Sequence, residues 1–171
     1  MEIDNSKLVG FLREVDKNLA RKITLVAVGG TAMTLLELKP SSIDIDFEIM
    51  PEDAGDFEKA TGMFAHGIKK IDVFSRGLIF SQQLPEDHWA SAIPIKIRFD
   101  KIRLKALHPL DIVVTKIGRL NDRDIQDIGA CIGKFGLTKE EIENRAKEVT
   151  YIGKDENYEI NLRHVLKRLF K

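Results

Sequence analysis

The sequence predicts a mixed α/β (α+β) fold in which a sheet with flanking helices is followed by a helical C-terminal part. Apolar runs of strand length alternate with helical patterns as far as residue 107. From Pro109 onward the apolar residues recur at helical spacing. We therefore expect residues 1–107 to form an α/β core and residues 108–171 to form helices packed on that core, in one compact domain.

The first part of the chain is predicted to contain three strands that alternate with helices. Their expected bounds are a helix over about 5–21, a strand over 23–28, a helix over 31–38, a strand over 43–49, a helix opened by Pro51 and a strand over 68–74. Proline suits the first turn of a helix because its missing N–H is not needed there. The helix after Pro51 is expected to bury Phe57, Ala60, Met63 and Phe64.

Residues 75–92 show no clear periodicity, and we expect an irregular segment there. Residues 93–99 and 101–107 alternate apolar and polar side chains, which predicts a hairpin with a turn at Phe99-Asp100-Lys101. Its polar faces are basic and carry Lys96, Arg98, Lys101, Arg103 and Lys105. Such a face is either solvated or directed at a polyanion.

Capping residues divide the helical part into separate helices. Asn121-Asp122 indicates a helix break or an N-cap, and Gly136 indicates the end of a helix. Thr138 with Glu141 fits a capping box. The last helix is expected to begin near Glu156.

The composition is that of a globular protein without a strong charge preference. The chain has 171 residues, of which 27 are Lys or Arg and 27 are Asp or Glu, so global charge does not favour nucleic acid. Its one cysteine, Cys131, excludes an internal disulfide and is expected in the core. No apolar run approaches the ~20 residues needed to span a bilayer, and a cytoplasmic location is the default expectation.

Two short motifs carry the strongest chemical signal. An apolar run ends at Gly29-Gly30-Thr31, and the next apolar run contains Asp44 and Asp46. Residues two apart in a strand point to the same face, so the two carboxylates are expected side by side. Like charges at that range repel unless a cation lies between them, and hard divalent cations prefer oxygen ligands. A solvated strand face after a strand-to-helix turn is the other interpretation.

This arrangement resembles the nucleotidyltransferase superfamily, in which Gly-Gly or Gly-Ser precedes a helix and Asp-x-Asp lies on the next strand. The resemblance implies a nucleotidyltransferase-like core in which Gly29, Gly30 and Thr31 hold nucleotide phosphates. It also implies that Asp44 and Asp46 bind Mg²⁺ or Mn²⁺. The superfamily's third carboxylate comes from a later strand, for which Asp72 is the candidate and Asp100 the alternative.

A second block, residues 116–127, contains Lys116, Arg119, Arg123, Asp124 and Asp127. One continuous helix would align the three cations on one face. The block resembles a subgroup related to abortive-infection (AbiE-type) toxin nucleotidyltransferases, where the position of Ser42 is often threonine. This resemblance implies that Lys116 and Ser42 bind the nucleotide, and we expect Lys116 to face the pocket. A solvated salt-bridge ladder is the alternative for the block.

The expected function is Mg²⁺-dependent transfer of a nucleoside monophosphate from an NTP to a hydroxyl on RNA or protein. Asp44, Asp46 and Asp72 are the predicted catalytic and metal-binding residues. The resemblance to toxins adds a toxin–antitoxin or defence role with a cognate antitoxin or other partner protein. The alternatives are a non-catalytic nucleotide-binding module or partner subunit on the same fold, and a plain RNA-binding protein.

Overall fold

A computed structural model describes residues 1–62, 68 and 70–171 of the chain. It confirms the mixed α/β class, with helices and a mixed sheet. The chain divides into two compact units, one formed by residues 1–76 and 92–106 and the other by residues 77–91 and 107–171.

The helices and strands are numbered in chain order. They are β1 (Ile3–Asp4), α1 (Asn5–Asn18), β2 (Ile23–Ala27), α2 (Gly29–Leu35), β3 (Ser41–Ser42), β4 (Ile45–Glu48), α3 (Pro51–Thr61), β5 (Ile71–Phe74), β6 (Leu78–Ile79), β7 (Gln82–Gln83), α4 (His88–Ser91), β8 (Ile93–Pro94), β9 (Ile102–Ala106), α5 (Pro109–Ile117), α6 (Asp122–Phe135), α7 (Lys139–Glu148), β10 (Thr150–Tyr151) and α8 (Asp155–Leu169).

The first unit is built on a five-stranded sheet in the order β5-β4-β2-β9-β8. β2 pairs antiparallel with β4 and parallel with β9, and β4 pairs parallel with β5. One face of the sheet is apolar and fully buried at Leu25 and Phe47. α3 packs there, with the Phe57 ring 6.0 Å from the Phe47 ring in an edge-to-face contact. Because side chains alternate along a strand, the neighbours of Phe47 in β4 point to the opposite face.

A single carboxylate in α1 fixes the turn before β9. The carboxylate of Asp16 accepts the backbone N–H groups of Asp100, Lys101 and Ile102 at 2.7–2.9 Å. Burial raises the pKa of Asp16, but these three hydrogen bonds outweigh it and the pKa lies below its ordinary value. Asp100 is exposed at the bend, as the predicted turn requires.

The second unit contains α4 to α8 and a three-stranded antiparallel sheet in the order β10-β7-β6. Asn121 caps α6 and forms a capping box with Asp124, which confirms the predicted break. Gly136 ends α6 in the left-handed conformation, with φ of 64°. Thr138 and Glu141 form the predicted capping box of α7.

Several predicted bounds were wrong. α1 ends at Asn18 rather than near residue 21, and α2 begins at Gly29 and ends at Leu35. The first arm of the hairpin is a strand only at Ile93–Pro94. β1, β3, β6, β7 and β10 were not predicted, because two-residue strands are too short to show a period.

Some predictions fall outside the described residues. The expected burial of Met63 and Phe64 cannot be compared with the structure, and the described strand β5 begins at Ile71. Among the described residues, no helix is both long enough and apolar enough to cross a membrane.

Candidate active site on the central sheet

Strand register places two of the three predicted aspartates opposite each other. Asp46 in β4 lies directly opposite Asp72 in the parallel strand β5. Neighbouring strands are roughly 5 Å apart, and directly opposed residues project from the same face. Asp44 lies two residues before Asp46, just outside β4, and is half-buried. Asp46 is 7% exposed, whereas the Asp72 side chain is 28% exposed.

One lysine lies among these carboxylates. Lys70 Nζ is 2.6 Å from Asp72 Oδ2. The pKa of Lys70 is raised, first by the hydrogen bond and the charge of Asp72 and then by the charges of Asp44 and Asp46. We call Asp44, Asp46, Asp72 and Lys70 the strand cluster. No group of three His, Cys, Asp or Glu side chains in residues 1–62, 68 and 70–171 is arranged to hold a metal ion.

Thr31 is completely buried and binds the backbone on which the first two aspartates lie. Its hydroxyl oxygen accepts the Asp46 N–H at 2.9 Å and its O–H donates to the Asp44 carbonyl at 3.3 Å. The Ser42 hydroxyl donates to the same carbonyl at 2.9 Å. Both hydroxyls predicted to bind the nucleotide are therefore engaged with the aspartate-bearing segment.

The glycine pair permits this close approach. Gly29 begins α2 with φ of 52°, a left-handed conformation that glycine adopts without strain. A Cβ on Gly30 would lie 3.1 Å from the Ser42 Cβ, which is tighter than ordinary van der Waals contact. A side chain at residue 30 would therefore require Ser42 to shift by a few tenths of an ångström.

Glu48 is an acidic residue of this face that the sequence analysis did not single out. It is two residues after Asp46, so it points to the same side of β4, and it is 1% exposed. The signal was present as a period of two, since Asp44, Asp46 and Glu48 alternate with apolar residues.

The Lys116 block has a different geometry from the predicted one. α5 ends at Ile117 and α6 begins at Asp122, so the three cations do not lie on one continuous helix. Lys116 is 1% exposed, and its Nζ lies 3.2 Å from Asp124 Oδ1 and 2.8 Å from Asp127 Oδ2. The alternative of a solvated ladder is wrong for this lysine, because the break at Asn121 leads α6 back over its ammonium.

Arg119 is the exposed member of the same group. Its guanidinium binds Asp124 through two hydrogen bonds of 3.0 Å and stacks over Phe80 at 4.8 Å. Burial raises the pKa of Asp124, but the hydrogen bond from Arg119 and the charge of Lys116 more than offset it, so the pKa is lowered. We call Lys116, Arg119, Asp124 and Asp127 the helix cluster.

Cys131 is buried on α6, as expected. Burial raises the pKa of its thiol to about 12, so the thiolate is not formed near neutral pH.

A comparison with known families covers most of the chain. Residues 6–167 match a family described as nucleotidyltransferase of unknown function (DUF6036). The chain belongs to this family. No curated protein and no solved structure matches the chain.

Proposed function

We propose that this nucleotidyltransferase family member transfers a nucleoside monophosphate from an NTP to a hydroxyl on RNA or protein, and that it depends on Mg²⁺ or Mn²⁺. Asp44, Asp46 and Asp72 are the proposed ligands of the cation. Gly29 and Gly30 are the proposed phosphate-binding turn.

The observation that carries the proposal is the juxtaposition of Asp46 and Asp72 in register, with Asp44 two residues away. Directly opposed carboxylates repel each other. Charged oxygen ligands are those that a hard divalent cation prefers, and these side chains would have to close around the ion, since no three such side chains of the described residues are already arranged for one. When bound, such a cation supplies Lewis-acid stabilisation of the charge on the phosphoryl oxygens.

The residues of the chain account for the remaining parts of the reaction. The acceptor oxygen forms a bond to the α-phosphorus, the bond from that phosphorus to the bridging oxygen breaks, and pyrophosphate leaves. Asp72, the more exposed of the opposed pair, accepts the hydroxyl proton on a carboxylate oxygen. Asp46 is buried and held by its backbone, so it contributes a fixed carboxylate.

The test is incubation of the wild-type protein with each labelled NTP, Mg²⁺ and either total RNA or a protein extract. We expect labelled product from the wild type and none from Asp46→Asn or Asp72→Asn. Asp100→Asn is the matched control, because Asp100 is an exposed carboxylate at a bend of the same unit. Product from Asp46→Asn, or equal losses from Asp72→Asn and Asp100→Asn, would contradict the assignment.

A non-catalytic nucleotide-binding module is the second candidate. It is favoured by the finding that no three acidic, histidine or cysteine side chains of the described residues are arranged for a metal ion. NTP binding without product for any NTP or acceptor would support this module over the enzyme.

A toxin–antitoxin or defence role is a finer proposal, supported by the resemblance of residues 116–127 to the abortive-infection subgroup. Its test is induced expression in a bacterial host. We expect growth arrest with the wild type and normal growth with Asp46→Asn at equal protein level. Normal growth with both proteins would count against the toxin role and leave the transfer reaction to the labelling assay.

A further inference from the structure

Thr31 lies at the point where α2 meets the aspartate-bearing segment, and it is fully buried. Its hydroxyl uses both of its hydrogen-bonding functions on the backbone of that segment, as acceptor from Asp46 N–H and as donor to Asp44 C=O. A hydroxyl with one O–H is then left with no proton for a phosphate oxygen.

The bonds made by Thr31 hold one short stretch of chain. Val28 N–H donates to the Asp46 carbonyl at 3.1 Å, while Thr31 accepts the Asp46 N–H. Asp46 is thus held at both backbone groups by the turn that contains the glycines. At Asp44 the Ser42 and Thr31 hydroxyls converge on one carbonyl.

We infer that Thr31 is a positioning residue that fixes the relative orientation of the Asp44 and Asp46 carboxylates, and that it does not bind the nucleotide phosphates. The inference deepens the proposed function, on which it rests, because it assigns the glycine–threonine turn to the assembly of the cation site. Gly30 serves the same end, since a Cβ there would make a tight contact with Ser42.

The chain offers a matched pair of buried threonines for the test. Thr34 lies in the same helix and is 1% exposed, but its hydroxyl donates to the Gly30 carbonyl within α2. Thr31→Val and Thr34→Val make the same chemical change less than one helical turn apart. Thr31→Ser keeps the hydroxyl and should rescue the effect of Thr31→Val.

The measurements are Mg²⁺ binding by titration calorimetry and kcat and KM for the NTP. Groups that orient metal ligands typically affect metal affinity or activity by about 10- to 100-fold, and we expect a loss of that size in Mg²⁺ affinity and kcat for Thr31→Val. The KM for NTP should stay within about twofold, and Thr31→Ser and Thr34→Val should resemble the wild type. A raised KM with unchanged Mg²⁺ affinity, or equal behaviour of Thr31→Val and Thr34→Val, would overturn the inference.

Two further experiments distinguish failure of the inference from misfolding of the variant and from failure of the proposed function. If Thr31→Val does not fold, Ser42→Ala removes a hydroxyl bonded to Asp44, and we expect weaker Mg²⁺ binding at unchanged KM. If the wild type binds no Mg²⁺ and makes no product, the proposed function fails. Hydrogen exchange of the Asp46 amide, measured without cation, then tests the hydrogen bond to the Thr31 hydroxyl. The bond is supported if exchange is fast in Thr31→Val but slow in the wild type, Thr31→Ser and Thr34→Val. Slow exchange in all four proteins refutes it.

Discussion

The strand cluster and the helix cluster contain the same kinds of charged residue but expose them to different extents. In the helix cluster, two cations face two carboxylates, and three of the four side chains are almost wholly buried. In the strand cluster, Asp46 lies opposite a second carboxylate, Asp72, and the Asp72 and Lys70 side chains remain partly accessible. The helix cluster lies between the helices α5 and α6, whereas the strand cluster lies on the face of a sheet.

This difference separates a structural role from a chemical one. Burying charges is costly unless every charge is paired, so a buried cluster of zero net charge is typical of a structural contact. A partly open cluster in which two carboxylates face each other gains from binding a cation. The comparison therefore supports the proposal that the strand cluster carries the chemistry.

The largest expected effect is on stability, from Lys116→Met. Removal of one partner from a buried ion pair typically costs 3–5 kcal/mol because an uncompensated charge stays buried, and we expect a loss of about 3 kcal/mol or more. Arg119→Met is the control, since its side chain is 49% exposed and exposed pairs contribute about 1 kcal/mol or less. Urea unfolding measures both. A Lys116→Met protein with wild-type stability but weak NTP binding would restore the predicted nucleotide-binding role of Lys116.

The second prediction compares the loss of stability when one aspartate of each cluster is replaced by asparagine. Asp124→Asn removes charged hydrogen bonds from Lys116 and Arg119, each typically contributing 1.5–3 kcal/mol, so we expect a loss of about 2 kcal/mol or more. Asp46→Asn relieves repulsion, and we expect stability within about 1 kcal/mol of the wild type. Thermal unfolding without divalent cation measures both variants. A larger loss from Asp46→Asn would mean that the strand cluster is a structural contact.

The sequence predicted the parts of this comparison that depend on local pattern. The strand that places Asp46 and Glu48 on one face follows from the alternation of side chains, and the caps at Asn121 and Thr138 follow from short-range hydrogen bonding. The register of Asp72 opposite Asp46 depends on pairing between distant segments, which the sequence does not contain in readable form. The resemblance supplied Asp72 instead.

The surroundings of Lys116 could not be predicted for a similar reason. Spacing of three and seven residues aligns side chains only if the helix is continuous, and α5 ends at Ile117. The sequence indicated the break at Asn121, but it did not indicate the direction of α6 after that break. That direction places Asp124 and Asp127 on the ammonium and converts an expected pocket lysine into a buried one.

The third effect is the pH dependence of stability. The pKa of Asp124 is lowered in the folded state, so its contribution is fully present above the unfolded value of about 3.9. The contribution is lost as pH falls from that value through the lower folded pKa. We expect the free energy of unfolding to decrease below about pH 4 in the wild type and to decrease less steeply in Asp124→Asn. Asp16→Asn should flatten the curve in the same sense, because the pKa of Asp16 is also lowered.

The smallest expected effect is a gain in cation affinity from Lys70→Met. The Lys70 ammonium lies 2.6 Å from an Asp72 oxygen that a divalent cation would also need. Because the lysine side chain is 61% exposed, it can leave the carboxylates for solvent at little cost, so its competition is weak. We expect Mg²⁺ to bind a few-fold more tightly to Lys70→Met than to the wild type, as measured by calorimetry at constant ionic strength.

Lys59→Met is the control for the change in net charge. Lys59 is exposed on α3, and that helix packs through Phe57 on the face of the sheet opposite to Asp46. If the two variants bind Mg²⁺ equally, the gain comes from overall charge and Lys70 does not compete at the site. If Lys70→Met binds Mg²⁺ more weakly than the wild type, the lysine orients Asp72 for the cation. Only a gain specific to Lys70→Met means that the lysine and the cation share the same carboxylates.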